Sequence, residues 1–116
     1  MHEFSLAAEV VKVAREEAGK NNARSVSEIT IEVGSISGVE TEAFRSALSL
    51  LTEGTILENA RLNTITINAT GICIACKHDF EMEQRIEICP ICGSFPSEIR
   101  GGKEFRVVSL VIEEDE

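Results

Sequence analysis

The chain has 116 residues, with 20 acidic against 11 basic side chains and a formal net charge of −9 at pH 7. Its length suits one domain or a small domain with a satellite, and its 43% apolar content argues against intrinsic disorder. The acidic balance excludes nucleic-acid binding, which needs clustered Lys and Arg. No membrane span or secretory signal is evident, so we expect a cytoplasmic protein with no membrane partner.

Apolar residues at helical spacing predict a first helix over Phe4–Gly19, which Gly19 and the Asn21-Asn22 pair would end. The stripe expected to be buried comprises Ala7, Val10, Val11, Ala14 and Ala18. Strict alternation over Glu28–Val33 then predicts a half-buried strand, with Ile29, Ile31 and Val33 facing inward. Gly34 and Gly38 would bracket the turn that follows this strand.

A second helix is predicted from about Val39 to Thr52. Ser37-Gly38-Val39-Glu40 has the spacing of a capping box, and Gly54 suits the position after the helix. Its expected apolar face comprises Ala43, Phe44, Ala47, Leu48 and Leu51. Alternation returns over Thr64–Ala69 and predicts a second strand, with Ile65, Ile67 and Ala69 on one face. The final segment, Phe105–Ile112, is apolar on both parities, which is typical of a strand with both faces covered.

An insert between these last two strands, Gly71–Gly102, differs in composition from the rest of the chain. It contains all four cysteines and both prolines. A segment shorter than ~40 residues usually needs a metal or a disulfide to fold. We therefore expect an irregular insert that its cysteines hold together.

Cys73, Cys76, Cys89 and Cys92 form two CxxC pairs with twelve residues between them. Each pair can form a knuckle that turns two sulfurs towards one ion, and two knuckles complete the tetrahedron of thiolates found in structural zinc sites. Gly93, directly after the second pair, supplies the permissive backbone that such turns need. The spacing therefore predicts a structural site for Zn²⁺.

Other uses of the cysteines fit less well. A thioredoxin-like redox pair would open a helix, which neither CxxC does, and disulfides are disfavoured in a reducing cytosol. Four thiolates leave no open position for catalytic zinc, and the spacing favours zinc over an iron–sulfur cluster. His78 is interpreted as a solvated loop histidine, although it could displace a cysteine in one state.

The N-terminus offers a second metal site. The terminal amine, the His2 imidazole and nearby backbone amides can chelate Ni(II) or Cu(II), because these ions favour nitrogen-rich ligand sets. Glu3 can add its amide nitrogen or its carboxylate. The simpler interpretation is that His2 is an exposed residue at a frayed chain end. The residues alone leave both interpretations open.

Several short motifs resemble, in order, those of the HypA/HybF family of hydrogenase accessory proteins. They are Met1-His2-Glu3, Val33-Gly34-x-x-Ser37-Gly38-Val39-Glu40, Glu53-Gly54-Thr55, Ala60-Arg61-Leu62, the two CxxC pairs with Cys89-Pro90-x-Cys92-Gly93-Ser94, and Gly102-Lys103-Glu104-Phe105. Together they span nearly the whole chain, and their combination is far more specific than any one of them.

The resemblance implies a nickel metallochaperone that helps to insert Ni²⁺ into the large subunit of nickel–iron hydrogenase. It implies a nickel site at His2 and Glu3 with the acidic side chain of Glu40, where family members often carry Asp. The four cysteines match the family's zinc ligands. The implied partners are the GTPase HypB, the hydrogenase large-subunit precursor and, in some members, urease maturation proteins. Glu40 can also cap the second helix, and the two roles are not exclusive.

We therefore expect an α+β fold in which two helices cover one face of a three-stranded sheet, with an inserted zinc-ribbon-like domain. The predicted domains are a nickel-binding domain of residues 1–70 and 104–116 and a zinc-binding domain of residues 71–103. No nucleophile–base pair or phosphate loop is evident, so we expect no enzyme but a metal carrier, monomeric or weakly homodimeric. The competing hypothesis is a zinc-ribbon protein–protein interaction module whose N-terminus is inert.

Overall fold

The computed structural model describes residues 2–84 and 86–114. The elements in chain order are helix α1 (His2–Lys20), strand β1 (Ala23–Gly34), helix α2 (Thr41–Thr52) and strands β2 (Arg61–Ile67), β3 (Ala69–Cys73), β4 (Asp79–Met82), β5 (Pro96–Arg100) and β6 (Phe105–Glu114). The strands form two three-stranded sheets, ordered β2-β1-β6 and β4-β3-β5. This arrangement confirms the predicted α+β class. Within the described part of the chain, neither helix is both long and apolar enough to cross a lipid bilayer.

The chain divides into two compact units. Residues 1–31, 39–64 and 107–116 form one, here called the helical unit, and residues 32–38 and 65–106 form the other, the cysteine unit. Compactness does not test whether a segment folds or binds a metal by itself. The division into nickel-binding and zinc-binding domains at residues 70 and 104 therefore stays a prediction.

Helix α1 buries the predicted stripe and exposes its charged face. The buried residues are Ala7, Val10, Val11, Ala14 and Ala18. The helix ends at Lys20, one residue after the predicted Gly19 and directly before the Asn21-Asn22 pair that was expected to stop it. The N–H groups of Asn21 and Asn22 bond to the carbonyls of Ala18 and Gly19, and Asn22 adopts a φ of 56°. Asparagine tolerates this left-handed conformation, so it ends the helix in the place of glycine.

Strand β1 buries Ile29, Ile31 and Val33 as predicted. It starts at Ala23, well before the predicted Glu28. The earlier start has a structural reason, since Val26 is also buried and its N–H donates to the carbonyl of Ile56 at 2.9 Å. Apolar alternation alone missed this first part of the strand, where serine and arginine interrupt the pattern.

Helix α2 begins at Thr41, and Glu40 is its N-cap residue. The predicted capping box, with Ser37 as the cap, is therefore wrong by three positions. Gly38, with a φ of 83°, still belongs to the preceding turn, which delays the start of the helix. Phe44, Ala47 and Leu48 are buried as predicted.

The two ends of helix α2 differ in how well the sequence predicted them. Ala43 was expected on the apolar face but is exposed, whereas the late Thr52 is buried. At the C-terminal end, Gly54 follows the C-cap residue Glu53 with a φ of 74°. A glycine with positive φ directly after the C-cap is the predicted helix stop.

The segment predicted as one strand, Thr64–Ala69, is divided between two sheets. Strand β2 ends at Ile67, and Ala69 begins β3, the central strand of the second sheet. Ile65 and Ala69 were expected on one face, but Ile65 is 45% exposed, whereas Ala69 is fully buried. The Ser35 hydroxyl oxygen accepts the N–H of Ala69 at 3.0 Å and donates to the carbonyl of Met82 at 2.6 Å.

The insert is more regular than its composition suggested. Its central strand β3 pairs antiparallel with β4, Gly71 opposite Phe80, and with β5, Gly71 opposite Ile99. The core of the cysteine unit comprises Ile36, Ala69, Cys73, Phe80, Met82 and Cys89. Two of the four cysteines are therefore core residues of a small sheet.

Strand β6 contradicts the expectation that both of its faces are covered. It is an edge strand of the sheet β2-β1-β6. None of its residues is buried, and Val108 and Val111 are 41% and 46% exposed. Apolar residues on both parities here mark an uncovered strand, not a central one.

Candidate metal sites

The first knuckle is a tight turn that reverses the chain after strand β3. The N–H of Cys73 donates to the carbonyl of His78 at 2.9 Å, and the N–H of Lys77 donates to the carbonyl of Cys73 at 3.1 Å. The N–H of Cys76 points to the sulfur of Cys73 at 3.5 Å. Backbone amides directed at sulfur favour the thiolate form, which is the form that binds a metal.

The second knuckle repeats these bonds at the same spacing. The N–H of Cys89 donates to the carbonyl of Ser94, and the N–H of Gly93 donates to the carbonyl of Cys89, both at 2.9 Å. The residue after each CxxC has a positive φ, 77° at Gly93 and 63° at Lys77. Gly93 was predicted in this role, whereas Lys77 was not, although it follows Cys76 as Gly93 follows Cys92.

The two knuckles bring all four sulfurs together. The Sγ atoms of Cys73, Cys76, Cys89 and Cys92 lie within 4.8 Å of one another. Cys73 and Cys92 are 3.2 Å apart, Cys76 and Cys89 3.7 Å, and Cys76 and Cys92 3.8 Å. A tetrahedral zinc ion with Zn–S bonds of about 2.3 Å separates its sulfurs by about 3.8 Å. The donor set and its spacing therefore fit one four-coordinate metal ion.

The four sulfurs divide into an inner and an outer pair. Cys73 and Cys89 are buried in the core of the cysteine unit, whereas Cys76 and Cys92 are exposed. An ion at this position would be tied to the core on one side and would reach the surface on the other. Four thiolates fill a tetrahedron, so no position remains for a reacting water.

The groups around these thiols shift their pKa values in opposite directions. The hydroxyl and the backbone N–H of Ser94 lower the pKa of Cys92 to about 6, and the backbone N–H of Cys92 lowers the pKa of Cys89. The backbone N–H of His78 favours the Cys76 thiolate, but desolvation and the three neighbouring thiols outweigh it and raise the pKa of Cys76 to about 12. Clustered thiols cannot all ionise until a cation compensates the charge. Ser94 is a contributor that the sequence analysis did not single out.

His78 contributes its backbone carbonyl to the first knuckle, while its side chain is exposed. Among the residues that the structure describes, the ligand atoms grouped at this site are those of the four cysteines. This placement agrees with the interpretation of His78 as a solvated loop residue.

The predicted nickel residues lie at the starts of the two helices, both in the helical unit. His2 is the first described residue of α1, and its side chain is exposed. The N–H of Glu40 donates to the Glu3 carboxylate at 3.2 Å. This hydrogen bond brings the Glu3 side chain to the Glu40 backbone although 37 positions separate the two residues in the sequence. Among the described residues, the four cysteines, and not His2, Glu3 and Glu40, form the group whose ligand atoms lie close enough to share one metal ion. The terminal amine of Met1, which the sequence analysis included in this site, lies outside the described residues.

The carboxylates of Glu3 and Glu40 also have structural roles. Glu40 Oε2 accepts the N–H of Ala43 at 2.7 Å, and its Oε1 accepts the N–H of Glu42 at 3.4 Å. In a capping box, the side chain of the third helical residue accepts the N–H of the N-cap residue. Here the carboxylate of Glu3 accepts the N–H of the N-cap residue Glu40 instead. The N–H of Glu40, followed by Glu3's own N–H and the charge of His2, holds the pKa of Glu3 below its usual value. Glu3 therefore stays ionised near neutral pH.

The chain matches known proteins over almost its whole length. A family described as "Hydrogenase/urease nickel incorporation, metallochaperone, hypA" matches residues 1–112. Hydrogenase maturation factor HypA of Francisella philomiragia is 40% identical over 111 residues, which cover 96% of this chain and 98% of that protein. The factor of the same name from Geotalea daltonii is 39% identical over 112 residues, covering 97% and 99%.

Solved structures agree at the level of the fold. The solution structure of the Ni metallochaperone HypA from Helicobacter pylori superposes with a TM-score of 0.67 at 24% identity, covering 97% of this chain and 98% of that one. A second solution structure, of HypA protein, gives a TM-score of 0.64 at 24% identity, covering 99% and 98%. With the family match and the relatives near 40% identity, the likeness leads to one conclusion: this chain belongs to the HypA family.

Proposed function

We propose that this chain is a nickel metallochaperone of hydrogenase maturation that binds Ni²⁺ at His2, Glu3 and Glu40 and passes it on by ligand exchange. Membership of a family described for hydrogenase and urease nickel incorporation supports the proposal. The observation that carries the choice of site is the 3.2 Å hydrogen bond between the Glu40 N–H and the Glu3 carboxylate. It brings the Glu3 carboxylate to the start of helix α2, and Glu3 directly follows the exposed His2 in the chain.

The position at a helix start suits nitrogen ligation. The first four N–H groups of a helix have no partner within it, so engaging the amides of His2 and Glu3 breaks no helical hydrogen bond. Imidazole and amide nitrogens are donors that suit Ni²⁺.

The same position limits how tightly a cation binds. The N-terminal end of a helix carries partial positive charge, which opposes a bound cation. The carboxylates of Glu3 and Glu40 offset this repulsion. We infer binding that is specific but weak enough for the ion to be released, as a carrier requires.

We propose in addition that Cys73, Cys76, Cys89 and Cys92 bind a structural Zn²⁺ ion. The tetrahedral spacing of the sulfurs and the pairing of two similar knuckles support zinc. When bound, zinc supplies folding free energy and holds the thiols as thiolates. The chain itself positions the ligands: the amides of the knuckles orient the sulfurs, and the small sheet buries two of them.

The partners that we propose follow from the family. They are the GTPase HypB, which would exchange nickel with this chain, and the precursor of the nickel–iron hydrogenase large subunit, which would receive it. The family description also names urease, so urease maturation proteins are a further proposed class of partner. We place this exchange in the cytoplasm.

A second candidate function, a protein–protein interaction module without metal delivery, has one observation in its favour. Three apolar side chains in or next to the knuckles are strongly exposed: Ile74 at 60%, Ile91 at 63% and Phe95 at 65%. The module and the carrier differ in one property. Only the carrier needs a nickel site beyond the cysteines.

The experiment is a calorimetric titration of Ni²⁺ into the zinc-loaded chain. We expect one additional site in the native chain, its loss in His2→Ala and its retention in His78→Ala, the matched control at the other histidine. Because the side chains of His2 and His78 are both exposed, zinc content and fold should stay native in both variants. Equal nickel binding in all three proteins would favour the module.

A further inference from the structure

Strand β6 has the features of an edge that another strand can join. It is ten residues long and lies at the edge of the sheet β2-β1-β6. Between Val107 and Ile112 its only polar side chain is Ser109. Val108 and Val111 on this stretch are 41% and 46% exposed. A long, apolar edge is a template for pairing with a further strand.

The other strands that lie at sheet edges carry protection that β6 lacks. Strand β2, at the opposite edge of the same sheet, has polar side chains at Arg61, Asn63, Thr64 and Thr66. In the other sheet, β4 has four residues with two acidic side chains, and β5 has five residues and starts with proline. Short length, charge and proline are the usual means of blocking an edge. Strand β6 is ten residues long and has neither a charge nor a proline between Val107 and Ile112, which singles out this edge.

A groove runs beside strand β6 within the helical unit. Its volume is about 540 Å³, and helix α1 lines one wall with Val13, Glu17 and Asn21. The other wall is the strand itself, from Val107 to Ile112. An added strand could place side chains in this space without displacing any residue of the core.

The order of charges along β6 identifies the occupant. Arg106 precedes the apolar stretch, and Glu113 and Glu114 follow it. If two copies pair antiparallel about a two-fold axis at Leu110, Arg106 of each lies opposite Glu114 of the other, and Val108 lies opposite Ile112. Opposite charges placed across neighbouring strands are stabilising. Arg106 already donates from Nε to Glu32 at 2.7 Å, but its guanidinium has further donors to offer.

We propose that β6 is a homodimer surface, at which β6 of one copy pairs antiparallel with β6 of a second copy to form a continuous six-stranded sheet. A two-fold contact needs a self-complementary surface, and the charge order of β6 meets this requirement. The proposal does not depend on nickel or zinc binding.

The first test is sedimentation equilibrium of the zinc-loaded chain at physiological ionic strength. We expect a concentration-dependent dimer, and we expect Val108→Lys to weaken it by about tenfold or more because a charge enters the middle of the new strand pair. Ile65→Lys is the matched control, since Ile65 is 45% exposed on the opposite edge strand. A chain that stays monomeric at every concentration would overturn the proposal, as would equal effects of both variants.

The second test determines the pairing itself. Arg106→Glu and Glu114→Arg should each weaken the dimer, because each places two like charges opposite one another at both ends of the strand pair. The double variant Arg106→Glu/Glu114→Arg should restore dimerisation towards the native level. A double variant that is no stronger than either single variant excludes antiparallel pairing through Leu110 and overturns the proposal.

Discussion

Glu40 is the residue whose two proposed roles can be separated by substitution. It caps helix α2 through the N–H groups of Ala43 and Glu42, at 2.7 and 3.4 Å, and we propose that its carboxylate also binds nickel. Three replacements dissect these roles. Glu40→Ala removes the cap and the charge, Glu40→Asn keeps a capping oxygen without the charge, and Glu40→Asp keeps both.

The expected stability effects follow from the capping geometry. Loss of an N-cap oxygen costs about 1 kcal/mol, and loss of a negative charge at a helix N-terminus costs about 0.5 kcal/mol. We therefore expect Glu40→Ala to lower the free energy of unfolding by about 1.5 kcal/mol and Glu40→Asn by about 0.5 kcal/mol. Glu40→Asp should remain near native stability.

The assay combines urea unfolding of the zinc-loaded, nickel-free chain with nickel calorimetry. If the carboxylate binds nickel, both Glu40→Ala and Glu40→Asn weaken nickel binding, although only the former is strongly destabilised. Nickel affinity that follows stability, with Glu40→Asn near native in both, would refute ligation by Glu40. Native stability of Glu40→Ala would refute the capping argument.

Three further outcomes are expected. Cys89→Ala should lose stoichiometric zinc and the native amide resonances of the cysteine unit, because metal binding supplies its folding free energy; retained zinc, measured by atomic emission, would contradict a four-thiolate site. Lys77→Gly should stabilise the zinc-loaded chain towards urea by about 1 kcal/mol, and Gly93→Lys should destabilise it by a similar amount, because both positions require positive φ. Changes of the same sign in both variants would contradict this argument. Gly34→Ala should cost about 2 kcal/mol or more in urea unfolding, because a methyl group there overlaps the carbonyl of Gly102; a native unfolding midpoint would refute that packing.

The sequence predicted what short-range patterns determine. The buried stripe of α1 and the inward residues of β1 follow from periodicity, and the cysteine cluster follows from the CxxC spacing. In each of these cases, neighbours within a few positions specify the structure. The same holds for Gly54, whose place after α2 depends only on that helix.

Long-range contacts account for what the sequence did not predict. The hydrogen bond between Glu3 and Glu40 joins two helix starts, and no local pattern indicates it. Strand β6 is apolar on both parities, which suggested burial, but its place in the strand order leaves it at an edge. The split between β2 and β3 arises because Ser35 takes up hydrogen bonds of the next sheet. A hydrophobic pattern indicates which residues avoid water, but not which part of the structure covers them.

The central claim is that nickel and zinc occupy separate sites with different donors. X-ray absorption at the nickel and zinc edges of one sample, the chain beginning at Met1 and loaded with both metals, tests it most directly. We predict nickel surrounded by nitrogen and oxygen, including imidazole, with no sulfur, and zinc surrounded by four sulfurs at about 2.3 Å. Sulfur scattering around nickel, or nitrogen donors around zinc, would contradict the assignment of the two sites.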